Sequence, residues 1–365
     1  MRAAVIRKMA DPLPQLAIED VEIDMPGPHE VLIKTAATGV CHSDLHYLKG
    51  DSAMPAMPAV LGHEGAGVVE AVGELVTYVR PGDHVICCLS TFCGQCEYCL
   101  TGRPARCTGR STTQRASDAH PRLSWEGQSV WAHGGLGTFA EWMLVHENSI
   151  VKIREDMPLD RAALIGCGVT TGLGAVFNTA KVEPGSTVCV YGLGGIGLSA
   201  IQGARIAGAR QIIAVDVNES KLATAKEFGA THVVDASSHD PVEAVRGMTD
   251  GGVDYSFEAI GLKTTVKQCF ESIRLDGTAT VIGLMPLGEQ IELDGRMFFR
   301  GRFQGSMMGS NRFRIDMPRY IDFYLQGRLR LDEMITRRGK LDDVHEAFRA
   351  MEAGEVVRSV LMFDN

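Results

Sequence analysis

This chain has no excess of positive charge: 36 Lys and Arg stand against 45 Asp and Glu in 365 residues, a formal net charge of −9. Broad nucleic-acid binding needs a basic footprint and is therefore not expected. A long apolar run is also missing. On the sequence, no stretch approaches the roughly 18 apolar residues of a membrane-crossing helix, so no membrane partner is expected. The first residues, MRAAVIRK, read as a strand and lack the apolar centre of a secretory leader. A cytoplasmic protein is the expectation. No repeat of solenoid period is visible.

What is present is ordinary in bulk and unusual in distribution. Hydrophobic content of 45% and charged content of 22% suit a soluble globular protein. The length allows two domains with a core that needs no disulfide staples. Ten cysteines are spread unevenly. In a reducing compartment, clustered cysteines bind metal more often than they pair. Four of them form Cys93-x2-Cys96-x2-Cys99-x7-Cys107, a spacing that lets one short loop wrap a single zinc ion tetrahedrally. Two others, Cys41 and Cys167, stand far apart with Gly62-His63-Glu64 between them. Two thiolates and one imidazole suit zinc and leave a fourth position open for chemistry. Spacing alone leaves inert buried cysteines as an equal reading of that second group. Cys87, Cys88, Cys189 and Cys269 have no metal-like spacing and read as buried small residues.

Up to about residue 150 the chain is rich in Gly, Pro and short β-type runs, such as 31–34, 67–72 and 84–86, and reads as an all-β domain with irregular loops. From about residue 170, strand-like and helical runs alternate. Strands are expected at 186–191, 212–217, 232–234, 255–257 and 279–283, with helices at 198–207, 221–228 and 242–247. That alternation predicts a parallel sheet in a doubly wound α/β fold. Two further helices, 318–326 and 341–351, precede a strand-like tail, 357–363, that is expected to return to the first domain.

Gly192-x-Gly194-x-x-Gly197 follows one predicted strand and opens a helix, the context of a dinucleotide-binding turn. Gly192 permits the tight turn, Gly194 lets backbone approach a pyrophosphate, and Gly197 lets helix and strand pack closely. Asp216 ends the next strand, where a carboxylate accepts hydrogen bonds from both adenosine ribose hydroxyls and repels a 2′-phosphate. NAD is therefore expected over NADP, with Lys221 adding a ribose contact.

Several segments together resemble the zinc-dependent alcohol dehydrogenases of the medium-chain dehydrogenase/reductase superfamily. They are Cys41-His42-Ser43-Asp44-Leu45-His46, Gly62-His63-Glu64-Gly65-Ala66-Gly67, the four-cysteine lobe, Leu164-Ile165-Gly166-Cys167-Gly168 and Tyr191-Gly192-Leu193-Gly194-Gly195-Ile196-Gly197. The resemblance runs nearly end to end, and its spacing is similar to the long animal and plant type, including the glutathione-dependent formaldehyde-oxidising class. It implies a GroES-like β-rich catalytic domain over 1–168 with a structural zinc lobe at 90–110, a Rossmann domain over 169–308, and a return to the catalytic domain over 309–365. It implies two zinc ions per chain: a catalytic one on Cys41, His63 and Cys167, and a structural one on Cys93, Cys96, Cys99 and Cys107. Glu64 would approach the metal transiently, and Asp44 would accept the far N–H of His63. Ser43 and His46 would relay a proton from the alcohol to solvent.

The same resemblance places His42, Thr171, Gly195, Ile196, Ile282, Leu284 and Arg358 at the cofactor, with His42 and Arg358 at the pyrophosphate. His42 stands where animal members often have arginine and should hold NADH less firmly. Leu89, Phe139, Leu284 and Met307 fall near family positions that line an alcohol channel, and Ser43 leaves more room beside the zinc than the threonine of many relatives. The segment 111–135 resembles a loop of long-type members and favours a homodimer over a tetramer. Glutathione-dependent members carry an arginine just beyond the last lobe cysteine; here Ser111 falls there, with Arg110 adjacent. The expected activity is reversible oxidation of an apolar alcohol to aldehyde or ketone. An S-(hydroxymethyl)glutathione dehydrogenase is the alternative within the enzyme class, and a non-catalytic zinc- and nucleotide-binding redox sensor the alternative outside it.

Overall fold

The computed structural model describes residues 1–9 and 16–364. It has two compact units: residues 1–167 with 312–326 and 331–365, and residues 168–311 with 327–330. Residue 168 and the stretches 309–311 and 327–330, assigned on sequence to the first domain, fall in the second unit.

In the first unit a seven-stranded sheet is organised around Glu30–Gly39, which pairs antiparallel with Glu64–Val72, Trp142–His146 and Arg358–Met362. The C-terminal strand therefore does return to this unit. A second sheet of four short strands includes Arg2–Ile6 and Ala59–Val60. The core packs Ala4, Val5, Ile6, Val60, Leu61, Phe139 and Phe348, among others. The expectation of an all-β domain missed the helix His42–Lys49. Its buried face is only Asp44, Leu45 and Leu48, too short to show a clear helical period, and Gly50 in the left-handed conformation ends it.

The second unit is a six-stranded parallel sheet. Its spatial order is His232–Asp235, Gln211–Asp216, Thr187–Tyr191, Val253–Glu258, Ile273–Val281 and Gly301–Gly305. Numbered along the chain this order is 3-2-1-4-5-6, the doubly wound topology with its crevice beside the first strand. Every residue of Thr187–Tyr191 is buried, as a strand covered on both faces requires. Helices Gly195–Ala207 and Glu219–Phe228 end on left-handed Gly208 and Gly229. The last strand and the helix Lys263–Glu271 were not anticipated; in Gly301–Gly305 glycines and partial burial hide the alternation.

Two readings need correction. Phe313–Leu325 begins five residues before Pro318 and carries that proline inside, because its buried face of Phe313, Met317, Tyr320 and Ile321 continues through it. The helical stretch Leu159–Ala180 is, against the sequence reading, long and apolar enough to cross a membrane. Its most apolar window is 83% buried inside the protein, which makes it a core helix.

Candidate active site

Cys93, Cys96, Cys99 and Cys107 converge, with each sulfur within 4.8 Å of the others. The Cys96–Cys99, Cys96–Cys107 and Cys93–Cys99 Sγ separations are 3.5, 3.8 and 4.0 Å. A zinc ion bonded to sulfur at about 2.3 Å in a tetrahedron spaces sulfurs by about 3.8 Å, whereas a disulfide needs about 2.05 Å. None of the ten cysteines is in a disulfide. Backbone amides of Cys99 and Thr108 hold Cys96 down to about 5, whereas burial and its thiol neighbours push Cys99 up to about 12. Crowded sulfurs of this kind ionise together only around a cation, so the set fits zinc.

The dispersed group also assembles. Cys41, His63, Glu64 and Cys167 are buried and present ligand atoms within 4.8 Å of one another. Cys41 is the N-cap of the helix His42–Lys49. His63 follows Gly62, which has φ +87 and where a Cβ would lie 2.7 Å from the Phe139 nitrogen. Cys167 lies in a π-helical turn, Ile165–Val169, and Gly166 brings that turn against the Cys87 carbonyl, 2.9 Å from where a Cβ would be. The hydrogen bond with Cys167 holds the Cys41 thiol well below its ordinary range, against its burial, and His63 adds to the effect. The same contact and burial push Cys167 well above it. Both nitrogens of His63 are buried without a directed hydrogen bond among the described residues. A cation on Nε2 would satisfy the more isolated one, so these residues fit a metal ion.

Glu64 reaches across Gly39, where a Cβ would collide with its carboxylate, to an ion pair with Arg358. Their strands flank Glu30–Gly39 on opposite sides. Burial raises Glu64 to about 7 despite that arginine. Arg358, expected at a pyrophosphate, is only 6% exposed and engages Glu64 and the Val40 carbonyl. Asp44 is fully buried; its Oδ2 lies 3.0 Å from His63 Nδ1. Burial pushes its carboxyl up, but the His63 and His133 rings outweigh that and hold it well below the usual range. His133 was not found on sequence. Its Nδ1 is 2.8 Å from Asp44 Oδ1, and a lone histidine between Trp131 and Gly134 carries no sequence signal that could have found it.

Ser43 and His46 share one face of the helix at a spacing of three residues. His46 Nδ1 lies 3.1 Å from Asp51 Oδ2. His42 is exposed. Phe139 does not line a channel in this unit: it is fully buried in the core and meets the Phe348 ring edge-on. Leu89 is half-buried at the edge of a second cluster. Arg110 donates through Nη2 to the Ala105 carbonyl at 2.7 Å, so its side chain is tied into the lobe. Cys87, Cys88, Cys189 and Cys269 are fully buried, and burial pushes Cys88 up to about 11 and Cys269 up to about 12.

In the second unit the glycines have separate structural reasons. Gly192 has φ +89, and a Cβ there would collide with Ile260; on Gly197 it would collide with the Gly192 carbonyl. A Cβ on Gly194 would meet nothing within 4 Å, leaving open approach at the start of the helix Gly195–Ala207. That free helix N-terminus, with Gly195 and Ile196 in its first turn, fits a phosphate. Asp216 Oδ2 accepts from Leu193 N at 2.9 Å, which places its carboxylate beside the turn. Lys221 lies on the following helix. Ile282 and the 57%-exposed Leu284 follow the strand Ile273–Val281, Met307 is 45% exposed, and Thr171 is buried with its hydroxyl 3.7 Å from Met308 sulfur.

Two family descriptions match the chain: an alcohol dehydrogenase GroES-like domain over residues 27–155 and a zinc-binding dehydrogenase over residues 195–326. The chain is 39% identical over 361 residues to an alcohol dehydrogenase class-3 of Pisum sativum, covering 96% of this chain and 95% of that one. It is 40% identical over 377 residues to an S-(hydroxymethyl)glutathione dehydrogenase of Paracoccus denitrificans, covering 99% of each. Among solved structures it is similar to benzyl alcohol dehydrogenase from Acinetobacter calcoaceticus, with a TM-score of 0.92, 34% identity and coverage of 100% and 99%.

Proposed function

We propose, since the chain belongs to the zinc-dependent alcohol dehydrogenases of the medium-chain dehydrogenase/reductase superfamily, that it reversibly oxidises an apolar primary or secondary alcohol to its aldehyde or ketone with NAD. The observation that carries this reading is the buried convergence of Cys41, His63 and Cys167. Zinc there would supply Lewis acidity to an alcohol oxygen, and nicotinamide would supply the hydride acceptor.

The protein groups have distinct tasks in this reading. Cys41 and Cys167 hold the ion as thiolates, and Asp44 keeps the His63 ring oriented so that Nε2 faces it. Glu64 waits beside the ligands, its charge balanced by Arg358. Ser43 takes the hydroxyl proton and His46 carries it onward; Asp51 at Nδ1 leaves His46 Nε2 as the exchanging nitrogen. Gly192, Gly194 and Gly197 shape the pyrophosphate turn, and Asp216 selects an unphosphorylated ribose with help from Lys221. His42, Thr171, Ile282 and Leu284 are assigned to cofactor contacts, and Leu89 and Met307 to the alcohol. Cys93, Cys96, Cys99 and Cys107 hold the second zinc. Cysteines clustered as metal ligands accord with a cytoplasmic setting. The edge strand Gly301–Gly305, with Phe299 exposed at 88% beside it, supports a homodimer.

Oxidation of S-(hydroxymethyl)glutathione is the second reading, favoured by the similarity to the S-(hydroxymethyl)glutathione dehydrogenase of Paracoccus denitrificans. The engagement of Arg110 with Ala105 weighs against it, because that guanidinium is then already tied to the lobe backbone. NADH absorbance with a panel of alcohols, and with formaldehyde with and without glutathione, separates the two. Turnover of apolar alcohols without thiol supports the main reading, and activity seen only with glutathione replaces it with the second. Absence of all turnover in a protein loaded with two zinc ions would leave the non-catalytic sensor.

A further inference from the structure

Asp44 is a fully buried carboxylate that touches more than the imidazole it was expected to orient. Its Oδ1 accepts from Gly62 N at 2.9 Å and lies 2.8 Å from His133 Nδ1, while Oδ2 faces His63 Nδ1 at 3.0 Å. An ionised carboxylate only accepts, so the proton of the His133 contact belongs to His133 Nδ1. The His133 ring is itself gripped on three sides. It meets His63 and Tyr47 edge-on at 4.8 and 4.7 Å between centroids and stacks over Trp131 at 5.8 Å.

The loop that delivers His133 is built from glycines with positive φ: Gly134 at +60, Gly135 at +74 and Gly137 at +60. A Cβ on Gly134 would collide with Leu89, so this path past the half-buried leucine needs glycine. Such a specific backbone ends with one buried imidazole against one buried carboxylate.

Resting on the assignment of His63 as a metal ligand, we propose that His133 is a positioning residue for that ligand. By clamping Asp44 Oδ1 it fixes Oδ2 against His63 Nδ1, and so directs His63 Nε2 to the ion. Without His133, Oδ1 keeps one backbone donor, the carboxylate is free to turn, and the His63 ring loses the partner that sets its orientation. Asp44, His63 and His133 also lie close enough to be a ligand set in their own right. Oδ1 already accepts from Gly62 N, and the His133 proton points at it, which makes the trio a brace and not a cradle.

The lobe ion is an internal control, because its four cysteines include none of these residues. Zinc-loaded wild type, His133→Phe, His133→Asn and His133→Gln would be challenged with a colorimetric zinc chelator, and release of each ion timed. Asparagine keeps a donor at the Nδ1 position; phenylalanine keeps the ring but no donor; glutamine moves its donor one atom outward. Expected are two ions in wild type, at least about tenfold faster release of one ion from the Phe and Gln variants, and near wild-type release from Asn. Unchanged release from Phe, equal acceleration of both ions, or Asn as fast as Phe would overturn the inference. Should the Phe variant fail to fold, the Asn and Gln pair decides alone: equal release rates refute a donor role. Wild type holding only the lobe ion would instead sink the assignment of His63 as a ligand.

Discussion

The two thiol-rich sites differ in how they are assembled. The lobe gathers four sulfurs from one stretch of 15 positions, Cys93 to Cys107, and only one of them, Cys107, is buried. The other group takes Cys41 from a helix cap, His63 from the turn before a strand and Cys167 from a π-helical turn, and all are buried. A closed local loop needs little beyond its own spacing to hold an ion. An open site built from remote elements needs the whole fold behind it, here as far as Asp44, His133 and the Glu64–Arg358 pair. A site made for chemistry has to leave a ligand position vacant and still hold its ligands firmly, so the firmness comes from the layer behind.

The sharpest way to break this contrast is Cys41→Ala. Metal analysis should find one zinc ion per chain remaining in the lobe, and turnover should fall by about four orders of magnitude, equivalent to several kcal/mol of lost charge stabilisation. Full activity in that variant would remove the mechanism. Cys107→Ser addresses the other side. Calorimetry should show a melting temperature lower by about 5 °C, the effect of losing about 4 kcal/mol in a chain of this size, while the tripod ion stays bound. If both ions leave together, the two sites are not independent.

Asp216→Ser tests whether the glycine turn and its carboxylate choose the cofactor for the open site. The ratio of kcat/KM for NAD over NADP should fall by about 10- to 100-fold, from loss of charge-assisted hydrogen bonds and of repulsion. An unchanged ratio would free Asp216 of that role.

The smallest effect concerns a buried carboxylate with no part in the chemistry. Glu30 is 4% exposed and accepts from Arg115, Arg122 and Gly27 N. Burial pushes its carboxyl up, but the two guanidinium groups prevail and hold it below the usual value. A depressed folded pKa stabilises above the unfolded value of about 4.3 and loses that contribution as pH falls through the lower folded value. Glu30→Gln should therefore cost about 2 kcal/mol at pH 7 in thermal or urea unfolding, and the gap from wild type should close in acid. Zinc content should not change, which separates scaffold electrostatics from those of the metal sites.

Much of this was legible in the chain because several signals are local. The four-cysteine spacing, the strand–glycine turn–helix order and the alternation of strands with helices each depend on a few tens of residues. His133 was not legible: a lone histidine in a Gly-rich loop carries no periodicity, and its meaning comes from Asp44, 89 positions away. Phe139 erred in the opposite direction, since an apolar residue looks alike on sequence whether it lines a channel or fills a core. The pairing of Arg358 with Glu64 was not legible either, since the two strands meet only across Glu30–Gly39 and strand order is not written in either segment.

Local spacing by itself determined the closed zinc loop, the glycine turn and the doubly wound unit, because hydrogen-bonded turns and short metal loops form between near neighbours. Tertiary structure alone decided which remote side chains became an open site. Strand pairing across Glu30–Gly39 set Glu64 against Arg358, and the glycine loop brought a histidine to the far oxygen of Asp44. The physical reason is burial: a charged group inside the fold has to find its partner in space, and that partner can come from anywhere along the chain.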